Sequence, residues 1–138
     1  MKKKKLFIIA EIGAKYGSIR QIIKLIKDIK KMGADAVKFQ TYNAKYLSDK
    51  ESLLPLKGKK ITQHSFFLKN QLTHRDHKAI IDTCKKAKLI WFSTPAHFTD
   101  VDYLEKFKPK IYKIGSDDLT NIPLIKYIAQ KKKKIILS

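Results

Sequence analysis

Five short apolar runs recur along this chain with helical patterns between them, and that alternation constrains the fold more than any single residue does. Leu6-Phe7-Ile8-Ile9-Ala10, Ala36-Val37-Lys38-Phe39-Gln40, Ile90-Trp91-Phe92-Ser93, Ile111-Tyr112-Lys113-Ile114 and Ile135-Ile136-Leu137 have the length and composition of strands. Near-continuous apolarity is what a parallel strand covered on both faces requires. Ser18 is placed to cap a helix with Ile19, Ile22, Ile23, Ile26 and Ile29 at helical spacing, and Gly33 closes it. Thr73 and Asp76 have capping-box spacing ahead of Ile80, Ile81 and Cys84. Thr99 or Asp100 is expected to open a brief helix carrying Val101 and Leu104, and Asn121 caps another with Pro123 in its first turn. Residues 41–72 form a long polar connection with Pro55, Gly58 and the aromatic pair Phe66 and Phe67, and connections of that length tend to carry function.

Strand-helix alternation predicts right-handed crossovers and a parallel sheet. An open doubly wound sheet and a closed barrel both satisfy it, but no glycine-rich GxGxxG follows the first run to favour a dinucleotide fold. Glu11, Lys38, Gln40, Thr94, Lys113, Ser116 and Ser138 all fall at or just past the carboxyl end of an apolar run. A barrel assembles its active site there, from several strands at once. A complete barrel takes eight units in about 250 residues. The fold class expected is therefore α/β, a partial TIM (β/α)8 barrel of roughly the first five strands and four helices, with residues 1–138 as one incomplete barrel domain.

A hydrophobic content of 43% supports a packed core. The formal net charge of +19 would ordinarily raise nucleic acid or an anionic membrane as partners. Arg20 and Arg75 are the only arginines, however, and base reading and bidentate phosphate contacts favour arginine. The lysines also fall in every segment, so a solvated basic surface is expected, with no nucleic acid and no membrane as partner. Cys84 is the single cysteine and shares a helix face with Ile80 and Ile81, which reads as a core thiol. Met1 to Lys5 followed by an apolar run imitates a signal peptide, but Glu11 interrupts it after five apolar residues. No run approaches a membrane span, and a cytoplasmic location is expected.

Lys38 and Lys113 sit inside apolar strands, where a cation is costly unless an anion meets it. One reading makes them, with the hydroxyls of Thr94, Ser116 and Ser138, a pocket for a phosphate or carboxylate. Glu11 and Asp118 would then supply carboxylates for acid-base work or for sugar hydroxyls. The other reading lets both lysines snorkel from strand ends and pair with Glu11 or Asp35. Residue pattern alone leaves both open.

Five motifs, taken in order, bear on that choice: Glu11-Ile12-Gly13, Val37-Lys38-Phe39-Gln40-Thr41, Phe92-Ser93-Thr94-Pro95, Tyr112-Lys113-Ile114-Gly115-Ser116-Asp117-Asp118-Leu119-Thr120-Asn121 and Ile135-Ile136-Leu137-Ser138. Together they resemble the sialic acid synthase (NeuB-like) family, which includes N-acetylneuraminate, legionaminate and pseudaminate synthases and spore-coat polysaccharide proteins. The resemblance implies a TIM barrel that condenses phosphoenolpyruvate with an N-acylated amino sugar to a nine-carbon 2-keto acid, releasing phosphate. It implies phosphoenolpyruvate binding by Lys38, Thr94, Lys113, Ser116 and Ser138, with Gln40 nearby. By the same resemblance Asp118 lies toward the reacting centre and Glu11 beside the amino sugar, the two catalytic candidates. A divalent metal, manganese or magnesium, is expected to polarise the sugar aldehyde. The family's two metal-binding histidines lie on strands after the fifth, so no metal ligand is assigned within this chain, and a C-terminal antifreeze-like domain is not expected in it either.

The chain departs from the family at two places. Ala14-Lys15-Tyr16-Gly17 stands where Asn-His-x-Gly usually follows the first motif, and Ala96 and His97 stand where an aromatic and an aspartate usually follow Ser93-Thr94-Pro95. His64, His74, His77 and His97 are expected to be surface or capping histidines, with His97 alone near the proposed site. The expected partners are phosphoenolpyruvate and the amino sugar, with a homodimer or a complementing C-terminal half completing the barrel and this part inactive alone. A noncatalytic fragment or half of a split enzyme is the alternative, and a basic nucleic-acid-binding module a third reading.

Overall fold

The computed structural model describes residues 6–13, 17–55 and 60–138. The lysine-led start, the Ala14-Lys15-Tyr16 departure and Gly58 lie outside these residues. In chain order the elements are β1 (Ile9–Glu11), α1 (Ile19–Lys31), β2 (Ala36–Thr41), α2 (Ala44–Leu47), α3 (Gln63–Asn70), α4 (His74–Lys86), β3 (Ile90–Pro95), α5 (Phe98–Glu105), β4 (Ile111–Ile114), a 3-10 turn (Ser116–Asp118), α6 (Ile122–Gln130) and β5 (Lys134–Leu137).

All strand pairs are parallel, and the sheet order is β1-β2-β3-β4-β5. Each strand's neighbour in space is its neighbour in sequence, as in a barrel wall; a doubly wound sheet reverses its order at a switch point. The helices cover one face. Val37 and Phe39 pack with Ile22, Ile26 and Ile80 of α1 and α4, while Tyr112 and Ile114 pack with Val101, Leu104, Leu124 and Ile128 of α5 and α6. The opposite face holds a small separate cluster of Ala36, Phe92 and Ile111, with Ile136 against it. A wall with helices outside and a thin apolar layer inside is a partial TIM barrel.

Local chemistry explains most boundaries. Ser18 and Gln21 cap α1 reciprocally, as Thr73 and Asp76 do for α4. Gly33 takes φ +89° past α1, in the left-handed region glycine enters without strain. Asn121 accepts from the Leu124 N–H at the start of α6. The cap of α5 differs from expectation: His97 holds it, its Nδ1 accepting from the Thr99 N–H at 3.3 Å. Asp100 cannot serve as cap because its side chain turns inward and accepts from the Ala96 N–H.

Two further expectations change. The first apolar run is not covered on both faces: only its last residues join the sheet, and Leu6, Phe7 and Ile8 precede β1 largely exposed. Among the described residues β1 pairs with β2 alone, which leaves one side of the run without a partner. The 41–72 connection has secondary structure of its own. It carries α2 and α3, a bridge between Leu53 and Thr62, and an edge-on contact of Phe67 with Tyr42. Cys84 is fully buried, and burial pushes its thiol up to about 12, which suits a core residue. Among the described residues no helix is long and apolar enough to cross a membrane.

Candidate functional site

Register decides which strand residues meet on the face without helices. Glu11 of β1 is paired in register with Lys38 of β2, and Lys38 with Phe92 of β3. One pleat nearer the carboxyl ends, Gln40 is in register with Thr94. Ser93 is matched with Tyr112, which carries Thr94 alongside Lys113 of β4. Ser138 follows β5 and meets the Lys113 ammonium, which donates to its hydroxyl. The sheet therefore lines up Gln40, Thr94 and Lys113 across three strands, with Ile136 of β5 opposite Lys113 and Ser138 two residues further on, reached by the lysine side chain.

Lys38 is buried and donates to Glu11 Oε1 at 2.7 Å, while Glu11 is about half exposed. The pairing reading of Lys38 is thus realised, although the lysine stays inside rather than snorkelling out. Lys113 differs, because its hydrogen bonds go to neutral oxygens, the Ile114 carbonyl at 2.7 Å and the Ser138 hydroxyl. Burial, and then the neighbouring Lys38 cation, push the Lys113 ammonium below its usual range; Glu11 and Asp117 oppose this. Two cations near enough to disfavour one another, one of them bonded only to neutral groups, form a site that an anion would relieve.

Thr94 completes the row. Its Oγ1 is buried and has no hydrogen-bond partner among the described residues. Buried hydroxyls rarely stay unsatisfied, because the desolvation penalty is about 1–3 kcal/mol. Gly115 lies beside it. A Cβ at that position would meet the movable end of the Asp117 carboxylate and stand in ordinary contact, 3.9 Å, with Thr94 Cγ2, which places the β4 turn against Thr94. Ser116 and Asp118 follow on the 3-10 turn, Ser116 exposed. Asp118 Oδ1 accepts from the Asn121 side-chain amide at 3.2 Å, which ties the turn to the start of α6.

The structure also brings together polar residues that the motifs did not single out. Thr41, Ser93 and His77 are all buried; Thr41 Oγ1 lies 2.8 Å from Ser93 Oγ and 3.0 Å from His77 Nε2. His77 Nδ1 sits 3.0 Å from the Thr73 carbonyl, which can only accept, so this nitrogen carries the proton and Nε2 accepts from Thr41. His77 is thus a core residue binding α4 to the back of β2 and β3, contrary to the surface or capping role expected of it. Its spacing with Ile80, Ile81 and Cys84 was the available signal. His97 stacks on Tyr46 while capping α5.

Asp100 yields a pH prediction. Burial pushes its carboxyl up to about 6, against the Ala96 N–H and His97, which lower it. The folded protein therefore holds this proton more tightly than the unfolded chain. The resulting stability is complete below the ordinary 3.8 and lost as pH rises through about 6. Buried His77, whose ring is pushed below 6.5, acts oppositely: its contribution is present above 6.5 and lost as pH falls. Asp100→Asn keeps an acceptor for Ala96 and is expected to remove the decline between 3.8 and about 6. Thermal melts across that window check it, an unchanged slope counting against it.

A model of the NeuB family matches residues 25–138. The chain belongs to the NeuB family. Its relatives include the pseudaminic acid synthase of Campylobacter jejuni, 37% identical over 98% of this chain and 41% of that protein. The N,N'-diacetyllegionaminic acid synthase of the same species is 39% identical, over 98% of this chain and 42% of that protein. Among solved structures, the N-acetylneuraminic acid synthetase of Leptospira borgpetersenii superposes with a TM-score of 0.82 at 24% identity, covering 97% of this chain and 44% of that one. The spore coat polysaccharide biosynthesis protein SpsE of Bacillus subtilis gives 0.76 at 28%, covering 99% and 36%. The chain thus spans about two fifths of the length of the curated NeuB relatives it matches. No group of three or more His, Cys, Asp or Glu side chains converges as a metal site among the described residues.

Proposed function

We propose that this chain forms the phosphoenolpyruvate-binding wall of a sialic-acid-type synthase, an enzyme of carbohydrate biosynthesis. The reaction condenses phosphoenolpyruvate with an N-acylated amino sugar. The observation that carries the reading is the buried, unpartnered Thr94 hydroxyl set beside Lys113, with Lys38 close enough to act on the same ammonium. Phosphoenolpyruvate is a small polyanion, and cations and hydroxyls fixed on strand ends hold such a ligand without rearranging. Lys38 and Lys113 supply charge. Thr94, Ser116 and Ser138 supply hydroxyl donors, and Gln40 borders them.

With the enol phosphate held, its methylene carbon forms a bond to the sugar aldehyde carbon. The aldehyde oxygen takes up a proton, and water displaces inorganic phosphate. Glu11 and Asp118 are the carboxylates assigned to the sugar and to proton movement. The family's divalent metal would polarise the aldehyde when bound, and its ligands would come from outside the described residues.

The test is phosphate release from phosphoenolpyruvate by the protein carrying this segment, with N-acetylmannosamine and other N-acylated hexosamines as acceptors and manganese present. Release that requires both substrates is expected. Phosphoenolpyruvate binding with no release on any such acceptor would reject the condensation while leaving the anion site intact.

A further inference from the structure

We propose a second ligand site on the opposite side of the wall, at the lower end of the cleft between α4 and α5, for a small anion with a flat apolar body. The two outer cores, one under α1 and α4 and the other under α5 and α6, share Trp91 as a partly buried neighbour of both. Beside it opens a cavity of about 390 Å³ walled by Leu89, Ile90, Trp91 and Phe107. That volume and an apolar lining with few polar groups are ordinary for a small-molecule site. Its rim is basic: Lys85, Lys108 and Lys110 line the mouth, all exposed.

Lys108 is left-handed in the turn just past α5, as Lys88 is past α4 and Lys132 past α6, and each ends a helix. Lys108 takes φ +54°, a left-handed conformation in which glycine is unstrained and a side chain is not. Asp82 lines the adjoining cavity with Lys78 and Lys106, and among the described residues no acidic side chain lines the cavity beside Trp91. Positive charge therefore dominates both cavities. An aromatic ring would lie against Trp91 and Phe107 while its carboxylate, sulfonate or phosphate met the lysines. This site is on the helix-covered side and shares no residue with the phosphoenolpyruvate wall.

Trp91 is the only tryptophan, so its indole N–H gives one resonance in a nitrogen-15 spectrum and reports on the cavity directly. The probes are 2-naphthalenesulfonate and the neutral 2-naphthalenesulfonamide. The sulfonate is expected to shift the indole signal saturably and to bind about tenfold more tightly than the sulfonamide, as removal of its ionic contacts predicts. Lys108→Gly, which relieves the left-handed strain, is expected to weaken the sulfonate about fivefold without lowering Tm. Lys132→Gly relieves the same strain beyond α6, at φ +54°, and is expected to leave affinity unchanged. Equal affinity for both probes, equal losses in the two variants, or an indole signal that does not move would each overturn the proposal.

Discussion

Lys113→Ala is expected to weaken phosphoenolpyruvate binding about a hundredfold while leaving thermal stability nearly unchanged. Hydrogen bonds to charged groups contribute about 1.5–3 kcal/mol each, and this lysine would face a polyanion from a partly desolvated position. Its present partners are neutral, the Ile114 carbonyl and the Ser138 hydroxyl, so its removal strands no buried charge. Lys38→Ala should behave differently. It removes a buried cation and leaves Glu11, which is about half exposed and can be solvated, so binding falls together with the local order of β1 against β2. Calorimetric titration with phosphoenolpyruvate, paired with melts, separates the two. An unchanged affinity in Lys113→Ala would remove this residue from the pocket.

Phe92→Ala is expected to destabilise the fold by about 3–5 kcal/mol. Phe92 is 1% exposed and is the largest side chain of the inner layer, whose other members are Ala36, Ile111 and Ile136. Ala36 has only a methyl, with no rotamer that could reach into the gap, and Ile111 is held in β4, so the space is poorly refilled. Ile136 is only partly buried against the same cluster, and its truncation should cost clearly less. The two losses read together locate the inner layer. Urea unfolding of both variants measures it, and equal losses would mean that Phe92 does not centre that layer. Phe92 also lies in register with Lys38, so the same variant is expected to bind phosphoenolpyruvate less tightly.

Strand positions were legible in the sequence because parallel strands are nearly all apolar, and the four runs after the first agree with β2 to β5 to within two residues. The first run was misjudged at its start, since composition cannot say whether a neighbouring strand is present to cover it. Capping boxes at Ser18 and Thr73 were legible because they are local hydrogen-bond chemistry. His97 as a cap was not, because it follows from Asp100 facing inward to accept from the Ala96 N–H four residues back, a bond that no capping pattern shows. Charge scattered along the chain also concealed geometry: Lys85 of α4 meets Lys108 and Lys110 of the α5–β4 connection at one cavity only after folding.

The candidate site was legible to the level of its residues and no further. The sequence named Thr94, Lys113 and Ser138 but could not show that Thr94 Oγ1 lacks a partner or that Lys113 reaches Ser138. It also could not decide between an anion pocket and paired lysines. The structure answers differently for each lysine, with Lys38 paired to Glu11 and Lys113 bonded to neutral oxygens. The Thr41–Ser93–His77 set behind the row stayed hidden because it is built from three elements, each contributing one ordinary residue.

A crystal structure of the protein with phosphoenolpyruvate bound tests the central claim most directly. The ligand is predicted on the inner face at the carboxyl ends of β2 to β4, accepting a hydrogen bond from Thr94 Oγ1 and an ionic contact from Lys113 Nζ. A ligand bound elsewhere, or one that leaves the Thr94 hydroxyl without a partner, would contradict it.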